Sequence, residues 1–231
     1  MPAMPRTRRP TPPRWTPAEL IMILDAEYGR VPPQPSGAPV TELVLTLLSQ
    51  HTSDHNSGKA MHRLLERFPS WDEVIDAPTS AVEDAIRPGG LAPTKAPRLQ
   101  ALLAEVRERA PDYDLDLLAR LPLDEAKRWL RSLPGVGPKT AACVLLFALG
   151  RPALPVDTHV DRVARRLGLV PPPVSAEHAH ELLEGELEPS EVYAFHVDLI
   201  QHGRRICHAR GAECERCPLE ARCPRVGLAP R

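Results

Sequence analysis

A short turn between two helix-forming segments places the strongest constraint on how this chain folds. Leu133-Pro134-Gly135-Val136-Gly137 follows a helix-forming stretch and leads into an apolar stretch that starts at Pro138 and Lys139. Glycine tolerates positive φ and lacks a side chain, so the turn predicts a tight helical hairpin whose backbone N–H groups are open to a ligand. The helix that follows adds unsatisfied donors and partial positive charge, which favours phosphate. A purely structural turn is the alternative.

The remainder of the chain has the pattern of an all-α protein. From residue 40 onward, apolar residues recur at helical spacing, and no stretch alternates with period two for long enough to form a sheet. Proline-rich breaks at 29–39 and 171–173 separate groups of helices. Capping residues predict helix starts at Thr16, at Ser53 or Asp54, and at Thr94, Ser175 and Ser190.

The net charge is −1 over 231 residues, so affinity for a polyanion cannot come from bulk positive charge. Between residues 131 and 170, however, six basic residues stand against two acidic ones, which is typical of a nucleic-acid surface and also of a solvated helix face. The first 30 residues contain no signal-peptide core. We expect an intracellular, cytoplasmic protein with a basic, proline-rich disordered tail over residues 1–14.

Lys139 and Asp157, on either side of an apolar helix, have the residue types needed for covalent chemistry. At a helix start the dipole disfavours a cation and therefore favours the neutral amine, which is nucleophilic, although a surface lysine also tolerates such a place. Asp157 serves either as the cap of the next helix or as a carboxylate that stabilises positive charge or deprotonates a nucleophile. His159 is open to packing or to a phosphate or sugar contact.

Four of the five cysteines are grouped near the end of the chain, at Cys207, Cys214, Cys217 and Cys223. In an intracellular protein, clustered thiols favour metal ligation over disulfides. Four thiolates suit either a tetrahedral zinc ion or an iron–sulfur cluster, and the ligand type alone does not distinguish the two. The fifth cysteine, Cys143, lies in an apolar helix and is expected to be a buried small hydrophobe.

The hairpin sequence, together with Val156-Asp157-Thr158-His159-Val160, resembles the helix–hairpin–helix (HhH-GPD) DNA glycosylases of base-excision repair, and among them the endonuclease III-like glycosylase/AP lyases. The resemblance covers residues 17–224. It implies two helical domains with the active site in the cleft between them. One is a six-helix barrel over 38–151, with the hairpin motif at 123–149; the other is an iron–sulfur cluster domain built from 15–37 and 152–225.

The resemblance also implies the chemistry. Lys139 would attack the sugar C1′ of a damaged nucleotide in double-stranded DNA with the help of Asp157, and base loss, a Schiff base and β-elimination would follow. The implied substrates are oxidised pyrimidines of the thymine glycol type. Adenine-specific mismatch glycosylases of the same superfamily lack the lysine. We expect a monomer that associates with the nucleoid and not with a membrane.

The spacing Cys207-x6-Cys214-x2-Cys217-x5-Cys223, preceded by His202-Gly203-Arg204, matches the [4Fe–4S] loop of that family, with structural zinc as the alternative. The resemblance implies that the hairpin grips the DNA backbone and that two loops insert side chains into the duplex. The DNA contacts expected on this basis are Gly135, Val136, Gly137, Thr140, His159, Arg162, Gln50, His51 and Leu91.

One departure from the family pattern keeps the specificity open. The family commonly has glutamine at the position of His51, so either Gln50 or His51 fills the gap left by the flipped base. A related glycosylase that removes uracil or mismatched thymine, or an enzyme that acts mainly as an AP lyase, is therefore an alternative. A non-catalytic DNA-binding module is a third possibility, because such hairpins also serve only as phosphate grips.

Overall fold

The computed structural model of the protein describes residues 14–228, and all regular secondary structure in that range is helical, as predicted. The expected tail at residues 1–14 lies outside the described residues except for Arg14. None of the described helices combines the length and the hydropathy that crossing a bilayer requires. The helices are α1 (Pro17–Tyr28), α2 (Pro39–Ser49), α3 (Asp54–Arg67), α4 (Trp71–Asp76), α5 (Thr79–Ile86), α6 (Ala92–Arg109), α7 (Leu117–Arg120), α8 (Leu123–Arg131), α9 (Pro138–Cys143), α10 (Thr158–Arg166), α11 (Ala176–Glu184) and α12 (Val192–Arg205).

Three of the predicted helix caps are present. The hydroxyl of Thr16 accepts from the backbone N–H of Glu19, whose carboxylate accepts in return from the N–H of Thr16, so that α1 begins with a complete capping box. Ser53 and Ser175 cap α3 and α11 through their hydroxyl oxygens. Local sequence decides these helix starts because the donor and the acceptor are only three residues apart.

Two predicted caps are wrong. Helix α6 starts at Ala92 rather than after Thr94, since a single 3-10 turn (Arg87–Gly89) reverses the chain and leaves Leu91 at the N-cap position. Helix α12 starts at Val192 after Glu191, and the hydroxyl of Ser190 does not cap it. In both cases the preceding turn sets the helix start, and no side-chain hydrogen bond is needed.

The helices α2 to α9 enclose one hydrophobic cluster, which we call the barrel core. Its largest fully buried members are aliphatic, in keeping with a chain of only 4% aromatic residues. They include Leu43, Leu48, Leu64, Ile86, Leu99, Leu102, Leu103, Leu115 and Leu118. Burying a leucine or isoleucine side chain contributes about 1.5–3 kcal/mol, so this cluster dominates the stability of the central part of the chain.

A second cluster, the terminal core, joins the two ends of the described chain. Helix α1 packs against α12, and α12 also packs against α10, with Leu20 and Phe195 fully buried between them. The guanidinium of Arg222 lies 3.6 Å from the centre of the Trp15 ring and 2.7 Å from the Glu19 carboxylate. Cation–π and ionic contacts therefore fasten the start of α1 to the segment that carries the cysteines.

One continuous helix connects the two cores. Helix α9 passes into a π-helical turn at Val144–Ala148, which shifts the face that the helix presents. Leu145 is buried in the barrel core, whereas Leu146 is buried in the terminal core. The crossing loop before α2 pairs with the end of this helix, where the N–H of Ser36 donates to the Phe147 carbonyl at 2.9 Å.

Asp198 makes stability in the terminal core depend on pH. Its carboxyl group is only 1% exposed on α12, and burial followed by the negative charge of Asp25 raises its pKa from 3.8 to about 7, against the opposing charge of Arg30. The folded protein thus holds a proton that the unfolded chain releases near pH 4, so the contribution to stability is lost as the pH rises towards and through 7. We expect Asp198→Asn to melt roughly 3 °C above the wild type at pH 8.5, to retain about half of this advantage at pH 5.5 and to lose it near pH 4. Equal melting curves at both pH values would contradict the assignment; Asp114→Asn, on an exposed turn, is the control.

Candidate active site

A cleft of about 770 Å³ lies between the barrel core and the terminal core, and it contains both of the predicted catalytic residues. Four parts of the chain contribute to it: the end of α2 with the loop that follows, the start of α9, the start of α10, and the end of α12. The lining residues are Thr46, Ser49, Gln50, His51, Thr52, Asp54, Lys139, Thr140, Val156, Asp157, Thr158, His159 and Arg204. An amine and a carboxylate from separate helices therefore share one open space.

Lys139 lies at the second position of α9 and is half-buried. Two side chains, Glu42 and Cys143, lie near its amine, and sequence reasoning missed the first of them. Burial raises the pKa of Glu42 on α2, and a hydrogen bond from Thr46 at 3.1 Å and the positive charge of Lys139 oppose the rise. Burial also raises the pKa of the Cys143 thiol to about 11, so Cys143 is a neutral, buried group as predicted. The sequence feature that could have identified Glu42 is its acidic side chain in the otherwise apolar helix α2.

Asp157 is a helix cap and also lines the cleft, so the two interpretations of this residue are compatible. Its Oδ1 accepts from the backbone N–H groups of His159 and Val160, each at 2.8 Å. These bonds hold the carboxylate in one orientation at the start of α10. The same half-buried side chain lines the cleft beside Lys139.

His196 supports the segment that precedes Asp157, and sequence reasoning did not single it out. The side chain is 2% exposed, and its Nδ1 lies 2.7 Å from the Pro155 carbonyl oxygen. Burial lowers the pKa of His196 to about 4, and the negative charge of Asp157 only partly opposes this shift. The ring is therefore neutral at physiological pH, and Nδ1 donates its proton to Pro155. This bond fixes the backbone two residues before the carboxylate.

His159 lines the cleft, and most of the N–H groups of Arg162 are bound within the protein. Arg162 donates to the carbonyl oxygens of Gly203 at 2.8 Å, of Cys207 at 3.0 Å and of Thr158 at 3.3 Å. It also donates to Nδ1 of His159 at 3.0 Å, which leaves the proton of the neutral imidazole on Nε2. Arg162 thus ties α10 to α12 and the cysteine segment, and its contact with DNA stays a prediction.

Packing between α10 and α12 explains the glycine in His202-Gly203-Arg204. A Cβ on Gly203 would lie 3.0 Å from the Arg162 guanidinium and 3.1 Å from the His159 ring. A side chain there would force the Arg162 and His159 side chains of α10 to shift. The close approach of the two helices therefore favours glycine, which a motif match alone did not explain.

The hairpin presents backbone and not side chains. Gly135 has φ +76°, whereas Gly137 has φ −91° and leads into α9. An added Cβ at either glycine would meet no protein atom within 4 Å, so the turn is open on its outer side. Val136 is 7% and Thr140 6% exposed, which means that their side chains pack inward and only their backbone groups are available to a ligand.

Two loops have unusual backbone conformations, and the first of them, which carries His51, lines the cleft. His51 has φ +55° and Leu91 has φ +52°, values that non-glycine residues rarely adopt. Leu91 is 55% exposed, as expected for an inserted side chain, and His51 is exposed while Gln50 is half-buried. Near them, the carboxylate of Asp54 accepts from Arg204 at 2.6 Å, so Asp54 bridges the cleft, and Ser53 alone caps α3.

The four C-terminal cysteines line one small cavity at the edge of the terminal core. Arg166 donates to the Cys207 sulfur at 3.2 Å, and Nε2 of His202 lies 3.6 Å from the Cys217 sulfur. Burial, followed by the neighbouring thiols, raises the pKa of Cys217 to about 11 and also raises that of Cys223. Within residues 14–228, no three Cys, His, Asp or Glu side chains already meet around a position that could hold a single metal ion.

Basic residues of this segment are paired with acidic ones. Arg216 donates to Glu213 at 2.6 Å, and Arg225 forms an ion pair with Glu220. Arg222 pairs with Glu19 of α1. Positive charge near the cysteines is therefore offset by direct contacts, one of which reaches α1 near the other end of the described chain.

Comparisons with known proteins agree with this geometry. The model of the HhH-GPD superfamily of base excision DNA repair proteins matches residues 44–189. Endonuclease III of Thermotoga maritima is 34% identical over 190 residues, which cover 80% of this chain and 82% of that protein. A protein of Arabidopsis thaliana named "Putative DNA glycosylase" is 36% identical over 187 residues, or 77% of this chain, and the match spans only 64% of that longer relative.

The comparison with solved structures agrees with these sequence matches. A non-covalent endonuclease III–DNA complex contains a chain that matches 91% of this protein with a TM-score of 0.77 and 28% identity, over 96% of its own length. The chain belongs to the HhH-GPD superfamily of base excision DNA repair proteins. Within that superfamily it is an endonuclease III-like DNA glycosylase/AP lyase.

The two roles of Asp157 can be separated by substitution. Asparagine retains the capping oxygen, whereas alanine loses it, so we expect Asp157→Ala to lower the free energy of unfolding by about 1 kcal/mol and Asp157→Asn to change it by only a few tenths. Urea denaturation of both variants measures the difference. Equal destabilisation of the two variants would show that the charge, and not the cap, stabilises α10.

Proposed function

We propose that this enzyme removes oxidised pyrimidines of the thymine glycol type from duplex DNA and then cleaves the strand through a lysine Schiff base. The observation that supports this most is the shared cleft, in which the half-buried Lys139 and the oriented carboxylate of Asp157 face one space. The proposal rests on the membership in the superfamily and on the presence of Lys139 at the position of the nucleophile.

In the proposed reaction, Nζ of Lys139 attacks C1′ of the damaged nucleotide while the bond from C1′ to the base breaks and the base leaves with a proton. Asp157 stabilises the positive charge that develops on the sugar and accepts the proton of the amine. The nitrogen of the resulting aminal then forms a double bond to C1′ while the bond from C1′ to the ring oxygen breaks and that oxygen takes up a proton from water. This Schiff base acidifies the C2′ protons, and loss of one of them expels the 3′ phosphate. Lys139 is released by hydrolysis. Each step uses only the substrate, water and these two side chains.

Duplex DNA would lie across the mouth of the cleft, between the hairpin and the two loops. The open outer face of Gly135 and Gly137 and the start of α9 provide backbone N–H groups for a phosphate. Nε2–H of His159 offers a further donor inside the cleft. His51 and Leu91 would fill the space that a flipped base leaves in the duplex, at a cost of a few kcal/mol for unstacking.

We further propose a division into domains at 38–151 and at 15–37 with 152–225, which the separation of the barrel core from the terminal core supports. We infer that the protein acts as a monomer inside the cell, associated with the nucleoid, because damaged DNA is its proposed substrate.

The cysteine segment fits a [4Fe–4S] cluster held by Cys207, Cys214, Cys217 and Cys223, with structural zinc as the alternative. Four thiols face one cavity, and the burial that raises the pKa of Cys217 and Cys223 disfavours their thiolates unless a cationic group offsets it. Bound there, the cluster would supply ligand bonds that hold the C-terminal segment in place. Arg166 and His202 would orient the sulfurs through hydrogen bonds.

A different specificity is the second candidate, and the exposed His51 favours it. An imidazole makes other hydrogen bonds with the unpaired partner base than an amide does, so the preferred opposite base would differ. Uracil or mismatched thymine would then be the substrate, or abasic sites alone. Duplexes that carry thymine glycol, uracil, mismatched thymine or an abasic site distinguish these outcomes when base release and strand cleavage are measured separately.

Borohydride trapping tests the proposed nucleophile. The chain contains only four lysines, Lys59, Lys95, Lys127 and Lys139, so a reduced Schiff base can be mapped to one peptide. We expect the wild type to form a covalent adduct with thymine glycol duplexes, Lys139→Gln to lose it while retaining DNA binding, and the control Lys59→Gln to retain it. An undiminished adduct in Lys139→Gln would refute the assignment. A protein that binds DNA but releases no base and forms no adduct is a binding module.

Metal analysis tests the cofactor. We expect the purified protein to be brown, with a broad visible absorption band and about four iron ions per chain. Cys214→Ser should lose the band and the iron, whereas Cys143→Ser, at a buried position of α9, should retain both because that thiol does not line the cysteine cavity. A colourless protein with one zinc ion per chain would establish the alternative.

A further inference from the structure

A buried lysine outside the cleft connects the two loops that carry the inserted side chains. Lys95 lies in the second turn of α6 and is 3% exposed. Its Nζ donates to the carbonyl oxygen of Leu48 at 2.7 Å and to that of Gly89 at 2.8 Å. Leu48 is three residues before His51, and Gly89 is two residues before Leu91. One ammonium group therefore binds the backbone at the base of both loops.

Both acceptors are found where a helix ends. Leu48 lies in the last turn of α2, and Gly89 closes the 3-10 turn that precedes α6. Carbonyl groups at the end of a helix lack partners within the helix and carry partial negative charge, so a cation is favoured there. Lys95 satisfies two such groups at once, which offsets the cost of burying its charge.

The two loops also approach each other closely at Gly89. A Cβ at this position would lie 3.2 Å from the Cβ of Ala60 and 3.7 Å from the Leu48 carbonyl oxygen. Glycine thus allows the backbone of the second loop to pack against α3 and against the end of α2. This contact is independent of the lysine and indicates that the relative position of the loops is closely defined.

The backbone at the tips of the loops supports the same conclusion. His51 and Leu91 both have φ in the left-handed region, although neither is glycine. Such conformations cost roughly 1–3 kcal/mol each and persist only where the surrounding structure holds them in place. Among the described residues, Lys95 is the side chain that donates hydrogen bonds to the backbone at the base of both loops.

We propose that Lys95 is a positioning residue that holds the loop of His51 against the loop of Leu91, so that both side chains enter the same gap when a base leaves the duplex. This inference deepens the proposed function and rests on it. Lys95 does not touch the reacting atoms and acts only through the two loops. Its effect should therefore be confined to substrates in which a base pair has to be opened.

Comparison of double-stranded with single-stranded substrate tests this role. The same strand with one abasic site is presented in duplex form and alone, and the rate of borohydride trapping is measured for each. In Lys95→Met the rate on the duplex should fall by about tenfold or more, while the rate on the single strand should change by less than about threefold. The ratio of the two rates separates positioning from a general loss of folded protein, because unfolding lowers both rates equally.

Gln100 provides a matched control on the same helix. Its Nε2 donates to the carbonyl oxygens of Val74 and Ala77 at 3.0 and 2.8 Å, so it also binds backbone at a helix end, but it does so away from the cleft. Gln100→Leu should lower stability and leave the ratio of the two rates unchanged. Lys95→Gln, which retains an N–H donor, should lie between the wild type and Lys95→Met, and it decides the test if Lys95→Met does not fold.

Coupling to Leu91 completes the test. Leu91→Ala removes an exposed side chain and should reduce the same ratio without loss of stability. If Lys95 acts through this loop, the effects of Lys95→Met and Leu91→Ala on the ratio should be less than additive. A ratio unchanged by both Lys95 variants, or fully additive effects, would overturn the inference. A wild type that traps neither substrate would instead remove the proposed function, and the role of Lys95 with it.

Discussion

The helix from Pro138 to Ala148 holds the structure together because both hydrophobic cores are built on it. Its π-helical turn places Leu145 in one core and Leu146 in the other, so neither core can shift without moving this helix. Lys139 lies at its exposed end. A helix buried along most of its length is a rigid support for a nucleophile, since displacing it would break packing on two sides.

The carboxylate side of the cleft depends on a different kind of constraint. Asp157 is held by hydrogen bonds to the backbone of α10, and the segment before it is held by His196 through the Pro155 carbonyl. Helix α10 in turn packs closely on α12 at Gly203. The amine is therefore positioned by apolar packing and the carboxylate by polar contacts, so the two groups respond differently to substitution in their surroundings.

Features that depend on residues close together in the chain could be predicted from the sequence, whereas features that depend on residues far apart in the chain could not. The cap at Thr16, the start of a helix at Pro138 and Lys139, and the cap at Asp157 depend on residues close together in the chain, and they were predicted correctly as local features. The start of α6 was misplaced because the turn at Gly89 packs against α3. The structural contacts of Arg162 were missed because its acceptors at Gly203 and Cys207 are more than 40 residues away. The role of Lys95 could not be predicted from the sequence, since both groups that accept its hydrogen bonds are backbone carbonyls.

The joining of α1 to α12 has a consequence for the order in which the molecule forms during synthesis. Helix α1 leaves the ribosome before the other described helices, yet its packing partner α12 begins roughly 160 residues later. The barrel core consists of contiguous chain and can assemble while synthesis continues, whereas α1 has to wait with its apolar face exposed until α12 and Arg222 emerge. The amphipathic first helix is thus the part of the nascent chain most in need of protection by a chaperone.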